Sequence, residues 1–137
     1  MVLVDTNVLL DVLQDDPQWA DWSLGQLRAL SQVHRLLINP IVYAELSLAF
    51  ESVTRLDATL QRMQLMVEEL PRPALFLAGR AFLRYRREGG RKGNVLPDFF
   101  IGAHAAVAGH TLLTRDQRRY RSYFPRIPLV APRSAEG

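Results

Sequence analysis

Short apolar runs alternate along this chain with longer stretches of helical spacing. VLVD from Val2, RLLIN from Arg35, MVEEL from Met66, TLLTRD from Thr111 and IPLVA from Ile127 each read as a short strand. Between them lie helical patterns. Val8 to Leu13 form the first, and Trp19, Trp22, Leu27 and Leu30 lie in a second. Leu56, Leu60 and Met63 recur at i, i+4, i+7 in another. Strands alternating with helices predict a parallel sheet covered on both faces. Helix ends are signalled too. Asn39 can cap a helix with Pro40 in its first turn, and Pro97 opens another in the same way. Gly89 and Gly90 should end the helix that starts near Pro73, and Gly109 the one from Pro97. No repeat or linker divides the chain, so residues 1–132 are expected to form one domain and 133–137 a frayed tail.

Four carboxylates do not fit a purely structural pattern. Asp5 ends the first strand, and Asp116 stands just after TLLT. In an open parallel sheet, ligands bind beyond the C-terminal ends of the strands, so both would face one crevice if these strands are neighbours. Each could instead cap the following helix. Glu45 shares a spacing with Ile41 and Leu48, which places it on an apolar stripe; either it finds a partner or a metal, or it reaches solvent at the stripe's edge. Asp98 follows Pro97 in a first helical turn, where the helix dipole favours a carboxylate and lowers its pKa. The rest of that helix, FFIGAHAAVAG, is almost wholly apolar, which predicts a buried helix with one acid at its mouth. Four acids at one end of a sheet would repel each other, and a hard divalent cation such as Mg²⁺ or Mn²⁺ relieves this. Such an ion can also activate water and hold a phosphate oxygen.

Composition narrows the classes. The 137 residues are 48% hydrophobic and 23% charged, as in an ordinary globular protein with a real core. There are no cysteines, which excludes disulfides and thiolate metal sites. No apolar stretch is long enough to cross a bilayer and no secretory segment is read, so a cytoplasmic location is expected. The net charge of +3 is unevenly spread. Residues 1–71 hold 4 Arg against 10 Asp and Glu (−6), and residues 72–137 hold 12 Arg and 1 Lys against 4 acids (+9). An acidic site beside a polyanion-binding surface would give this pattern, as would arginine used for solubility.

VDTNVLLD, NPIVYAEL, LPDFFIGAHAAVAG and LLTRDQRRY together resemble the PIN-domain ribonucleases, most closely the VapC toxins of bacterial toxin–antitoxin pairs. The resemblance runs from Val2 to about Val130. It implies a PIN-like three-layer α/β/α sandwich with a central, mostly parallel sheet. It also implies Mg²⁺- or Mn²⁺-dependent endoribonuclease activity that leaves 5′-phosphate and 3′-hydroxyl ends. Asp5, Glu45, Asp98 and Asp116 match the family's catalytic and metal-binding acids, with Asp5 and Asp98 the principal ligands. Thr6, Asn7 and Thr114 match the polar positions that support them. One departure is that the fourth acid sits in TRDQRRY, without the Asn or Asp that often follows it. The expected partners are an RNA substrate, a small VapB-like antitoxin and a second copy of the chain, with no membrane.

RNA as substrate also has support from the residues. Arg80, Arg84, Arg87 and Arg91 form one helical stripe, and Arg115, Arg118, Arg119 and Arg121 surround the fourth acid. Contacts of this kind give affinity for phosphates without sequence specificity, though a solvated face reads the same way. Tyr85, Tyr120 and Tyr123 among them could stack on bases or pack in the core. His34, His104 and His110 are scattered and read as structural or surface residues that form no cluster. Asp11 reads as solvent-facing or peripheral to the site. Other classes fit less well. A receiver-like phosphoacceptor needs a lysine at its last strand, and Lys92 stands far from one. A haloacid-dehalogenase-type phosphatase needs an Asp where Asn7 stands. A PIN-fold scaffold that binds RNA without cutting it remains the alternative.

Overall fold

The computed structural model describes residues 1–90 and 95–133. The strands are β1 (Val2–Val4), β2 (Leu36–Ile38), β3 (Leu65–Val67), β4 (Thr111–Leu113) and β5 (Leu129–Val130). The helices are α1 (Thr6–Leu13), α2 (Ala20–Ser31), α3 (Pro40–Ser47), α4 (Val53–Arg62), α5 (Arg72–Arg87), α6 (Leu96–Ala108) and α7 (Arg118–Tyr123). The strands form one sheet in the order β3-β2-β1-β4-β5, and every pairing is parallel. With its helical layers this is the expected α/β/α sandwich. All three residues of β1 and of β2 are buried, as both-face burial requires. The edge strand β3 keeps only Leu65 inside, and Met66 and Val67 are exposed.

The chain winds outward from β1 in one direction to β2 and β3, then returns to β4 on the other side of β1. That reversal is the switch point at which parallel sheets bind ligands. Val4 pairs with Leu113, so Asp5 and Thr114 leave adjacent strands side by side.

Local signals placed several helix ends. Asn39 caps α3 by accepting from Val42 N–H at 3.0 Å, with Pro40 in the first turn. Gly109 ends α6 at a φ of 72°, and Gly89 follows α5 at a φ of 87°, both in the left-handed region glycine tolerates. The proposed apolar stripe of α3 is corrected. Val42 and Leu46 make its buried face, and Leu48 is 90% exposed just past the helix end. Arg91 and all of the expected tail except Arg133 lie outside the described residues.

Gly102 brings α6 close against the Phe124 ring. A Cβ there would lie 2.5 Å from Cδ2 of the buried Phe124 ring. Gly102→Ala should therefore destabilise the fold by about 1–3 kcal/mol, the usual range for overpacking. The check is the urea midpoint, and an unchanged midpoint would show that the Phe124 ring yields freely.

Candidate metal centre

Asp5 is 4% exposed, and its carboxylate collects four donors from three segments. One oxygen accepts from Thr6 N–H at 2.7 Å. The other accepts from the Thr114 hydroxyl at 2.8 Å and the Tyr120 hydroxyl at 2.9 Å, with the Asn7 amide at 3.5 Å. Asp5 is thus the cap of α1 and also the centre of a network that continues outward. Thr6 donates its hydroxyl to Glu45 at 2.7 Å, which gives the acid of α3 a partner. Thr114 accepts from Asp116 N–H at 3.1 Å, and Asn7 accepts from Arg115 N–H at 3.1 Å. The residues expected to support the site therefore tie α1, α3 and the loop after β4 together.

Asp98 stands in the first turn of α6, half-buried, with Arg119 donating to it at 2.5 Å. Asp116 is exposed in the loop after β4 and accepts from Arg118 N–H at 3.3 Å. Asp98 is the electrostatic link among the four acids: its charge acts on Asp5, and those of Glu45 and Asp116 act on it. Burial, and then the charge of Asp98, push the Asp5 carboxyl up to about 7, against the lowering effect of its hydrogen bonds. The helix dipole predicts Asp98 below the ordinary range, but its pKa is raised. Burial is the largest cause, and the charges of Glu45 and Asp116 add to it, while Arg119 opposes them. The donors are all carboxylate oxygens in a site of excess negative charge, which suits a hard divalent cation.

The basic residues divide by what they touch. Arg80, Arg84 and Arg87 are exposed on α5. Arg80 lies over the Phe76 ring, and Arg84 lies over Tyr123 and donates to the Ser122 carbonyl at 3.1 Å. Arg118 is exposed beside Asp116. Arg115 has another task. It grips both oxygens of Asp11, at 2.9 and 3.1 Å, and lies over Trp19. Of the two readings of Asp11, the solvent-facing one is corrected: it is 3% exposed, with Ser23 as a further donor at 2.8 Å. A cavity of about 720 Å³ opens beside Asp116, walled in part by Arg118, Arg119, Tyr85 and Tyr123.

Two groups of functional interest were not legible in the chain. Tyr120, a base-stacking candidate by sequence, is 1% exposed and donates to Asp5. Burial and the Asp5 charge hold its hydroxyl proton firmly, well above the usual tyrosine range. The histidines are also corrected. His104 and His110 come together on Glu68, with their Nε2 atoms 2.9 and 2.6 Å from the same carboxylate oxygen. Ligand-type atoms of these three residues lie within 4.8 Å of one another. A polar ring in the apolar run of α6 needed a partner, but Glu68 is 36 residues away in sequence.

Several solved structures share this fold at low identity. VapBC2 from Rickettsia felis, bound to a DNA fragment from its promoter, has a TM-score of 0.74 at 21% identity, over 97% of this chain and 100% of that one. VapBC-1 from nontypeable Haemophilus influenzae has a TM-score of 0.70 at 18% identity, over 96% and 98%. A toxin–antitoxin complex from Klebsiella pneumoniae has a TM-score of 0.63 at 22% identity, over 97% and 98%. No curated protein matches the sequence. The PIN domain family model matches residues 2–125, which contain all four acids and nearly the whole sheet, and the chain belongs to the PIN domain family.

Proposed function

We propose that this PIN domain is a divalent-metal-dependent endoribonuclease and the toxin of a toxin–antitoxin pair. The observation that carries the reading is the buried Asp5 at the sheet's switch point, with Asp98 close enough to act on it and Glu45 and Asp116 close enough to act on Asp98. Asp5 and Asp98 would be the main ligands of Mg²⁺ or Mn²⁺, with Glu45 and Asp116 completing the oxygen set. The bound ion would supply charge neutralisation at a phosphodiester and activation of water. The protein's own groups do the rest. Thr6, Thr114 and Tyr120 fix the Asp5 carboxylate in one orientation, so little rearrangement is needed on binding. Arg119 pairs with Asp98, and its guanidinium would be free to meet a phosphate if a cation were held by that carboxylate.

The toxin role draws support from the neighbouring folds, which are those of VapBC proteins and of a toxin–antitoxin complex. A small VapB-like antitoxin and a second copy of this chain are the partners proposed with it. Among the described residues no helix is long and apolar enough to cross a membrane, in keeping with action in the cytoplasm. The test is incubation with labelled single-stranded and structured RNA in Mg²⁺ or Mn²⁺, with a chelator control and mapping of the new ends. Metal-dependent cuts with 5′-phosphate ends are expected. RNA binding without any cut would favour the scaffold alternative.

The stripe on α5 gives a separate prediction. If Arg80, Arg84 and Arg87 touch the RNA backbone, neutralising all three weakens binding to every RNA by a similar factor. The log–log dependence of affinity on salt also flattens, by roughly 0.7 for each phosphate that no longer meets an arginine. Affinity measured without metal across several salt concentrations decides this. An unchanged slope would move the RNA path to Arg118 and Arg119 beside the acids.

A further inference from the structure

We infer that Asn39, His104, Glu68 and His110 form a proton-sensitive brace that spaces the helices bearing Glu45 and Asp98, and that this cluster is not a second metal site. Its hydrogen bonds have one consistent assignment. Asn39 accepts from Val42 N–H through Oδ1, so its Nδ2 is what faces His104 Nδ1, at 3.2 Å. An amide N–H can only donate, so Nδ1 accepts and the ring proton sits on Nε2. That proton points at Glu68, 2.9 Å away, and His110 donates to the same oxygen at 2.6 Å. The glutamate is the acceptor for both rings. Burial would raise its pKa, but the bonds from His110 and His104 outweigh this and keep it low.

The same geometry argues against a metal. Tetrahedral ligands about 2.0–2.1 Å from an ion stand roughly 3.3 Å apart. The separations of 2.6 and 2.9 Å are instead those of hydrogen bonds. Coordination through His104 Nε2 would also move its proton to Nδ1, against the N–H of Asn39. Relieving that conflict would sacrifice the cap of α3.

The brace bears on the acids because of its place in the fold. His104 lies six residues along α6 from Asp98, and Asn39 six residues before Glu45, each roughly 9 Å along a helix. Their hydrogen bond is a rung between α3 and α6. Glu68, leading from β3 into α5, fixes the other side of the ring. Protonating Nδ1 would set two donors face to face and open the rung. His104 is fully buried, and the titratable groups acting on it are Glu68 and His110. Asn39 is neutral, and the buried residues of the neighbouring α5 are Ala74, Ala78 and Ala81. Burial favours the neutral ring more than Glu68 favours the charged one.

The relevance to metal binding rests on the nuclease reading above, but the brace is tested without it. Long-range ¹H–¹⁵N spectra of the metal-free protein should show His104 as the Nε2–H tautomer, with a titration midpoint below about 6.5. Added Zn²⁺ should leave the His104 and His110 signals in place. An Nδ1–H tautomer, a higher midpoint, or a zinc-induced shift of both rings would overturn the inference. Asn39→Asp keeps a capping oxygen but replaces the donor by an acceptor, so the His104 midpoint should rise by about one unit or more. An unmoved midpoint would also overturn it. His104→Phe, with its circular dichroism unchanged, should weaken Mn²⁺ binding about tenfold, as loss of an outer support does. Equal affinity would remove the positioning role. If the wild-type protein binds no Mn²⁺, the nuclease reading fails, and the tautomer and the Asn39→Asp midpoint still decide whether the brace exists.

Discussion

Asp5→Asn should abolish metal-dependent RNA cleavage and at the same time stabilise the metal-free protein. The loss should exceed the roughly 10–100-fold that follows removal of a ligand's outer partner, because Asp5 itself would hold the ion. The gain in stability comes from the same residue. Its charge is buried at 4% exposure, beside the negative charge of Asp98. An amide removes both penalties. It returns part of the gain, because its Nδ2 then faces a backbone or hydroxyl donor where a carboxylate oxygen had accepted. Cleavage assays and urea unfolding in a chelator are the two measurements. A mutant that still cuts at the wild-type rate would remove Asp5 from the metal site. A mutant less stable than wild type above pH 7 would show that the hydrogen bonds, not the charge, dominate its energetics.

The pH dependence of the metal-free protein follows from the same carboxyl. The folded state holds the Asp5 proton up to about pH 7, whereas a free aspartate releases it near 3.8. Between these values the native state binds more protons than the unfolded one, so stability falls as pH rises. The contribution is fully present below about pH 4 and lost once pH passes 7. It amounts to on the order of 4 kcal/mol, from about 1.4 kcal/mol per pKa unit. Asp98 is shifted in the same direction and adds to the slope. Glu68 is shifted downward, so its contribution is lost only as pH falls through its lower native value, and His104, held neutral by burial, opposes the decline until pH passes about 6.5. Urea midpoints in a chelator should therefore decline from about pH 5 to about 7.5, and the decline should be much shallower in Asp5→Asn. If the acids hold a metal as proposed, added Mn²⁺ should flatten it from the other side, since it would bind the ionised folded state. A midpoint that stays level across that range in both proteins would contradict the buried charge.

The chain by itself determined what local physics can encode. Strand positions followed from short apolar runs, and helix ends from Asn39, Pro40, Pro97, Gly89 and Gly109, because a cap or a left-handed residue acts within a few positions. The acids were conspicuous because each broke an apolar pattern. Which residues each acid meets was decided only by the tertiary structure. Val4 pairs with Leu113 across more than a hundred residues, and only that pairing brings Thr114 and Tyr120 onto Asp5. The Asp98 shift runs against the local expectation for the same reason. A helix dipole is a local property, whereas burial and the charges of Glu45 and Asp116 are not. Arg115 lies in the sequence beside the fourth acid yet closes on Asp11, and two scattered histidines close on Glu68. A polar side chain inside an apolar run announces that it needs a partner. Its identity depends on how the helices pack, and no nearby residue records that.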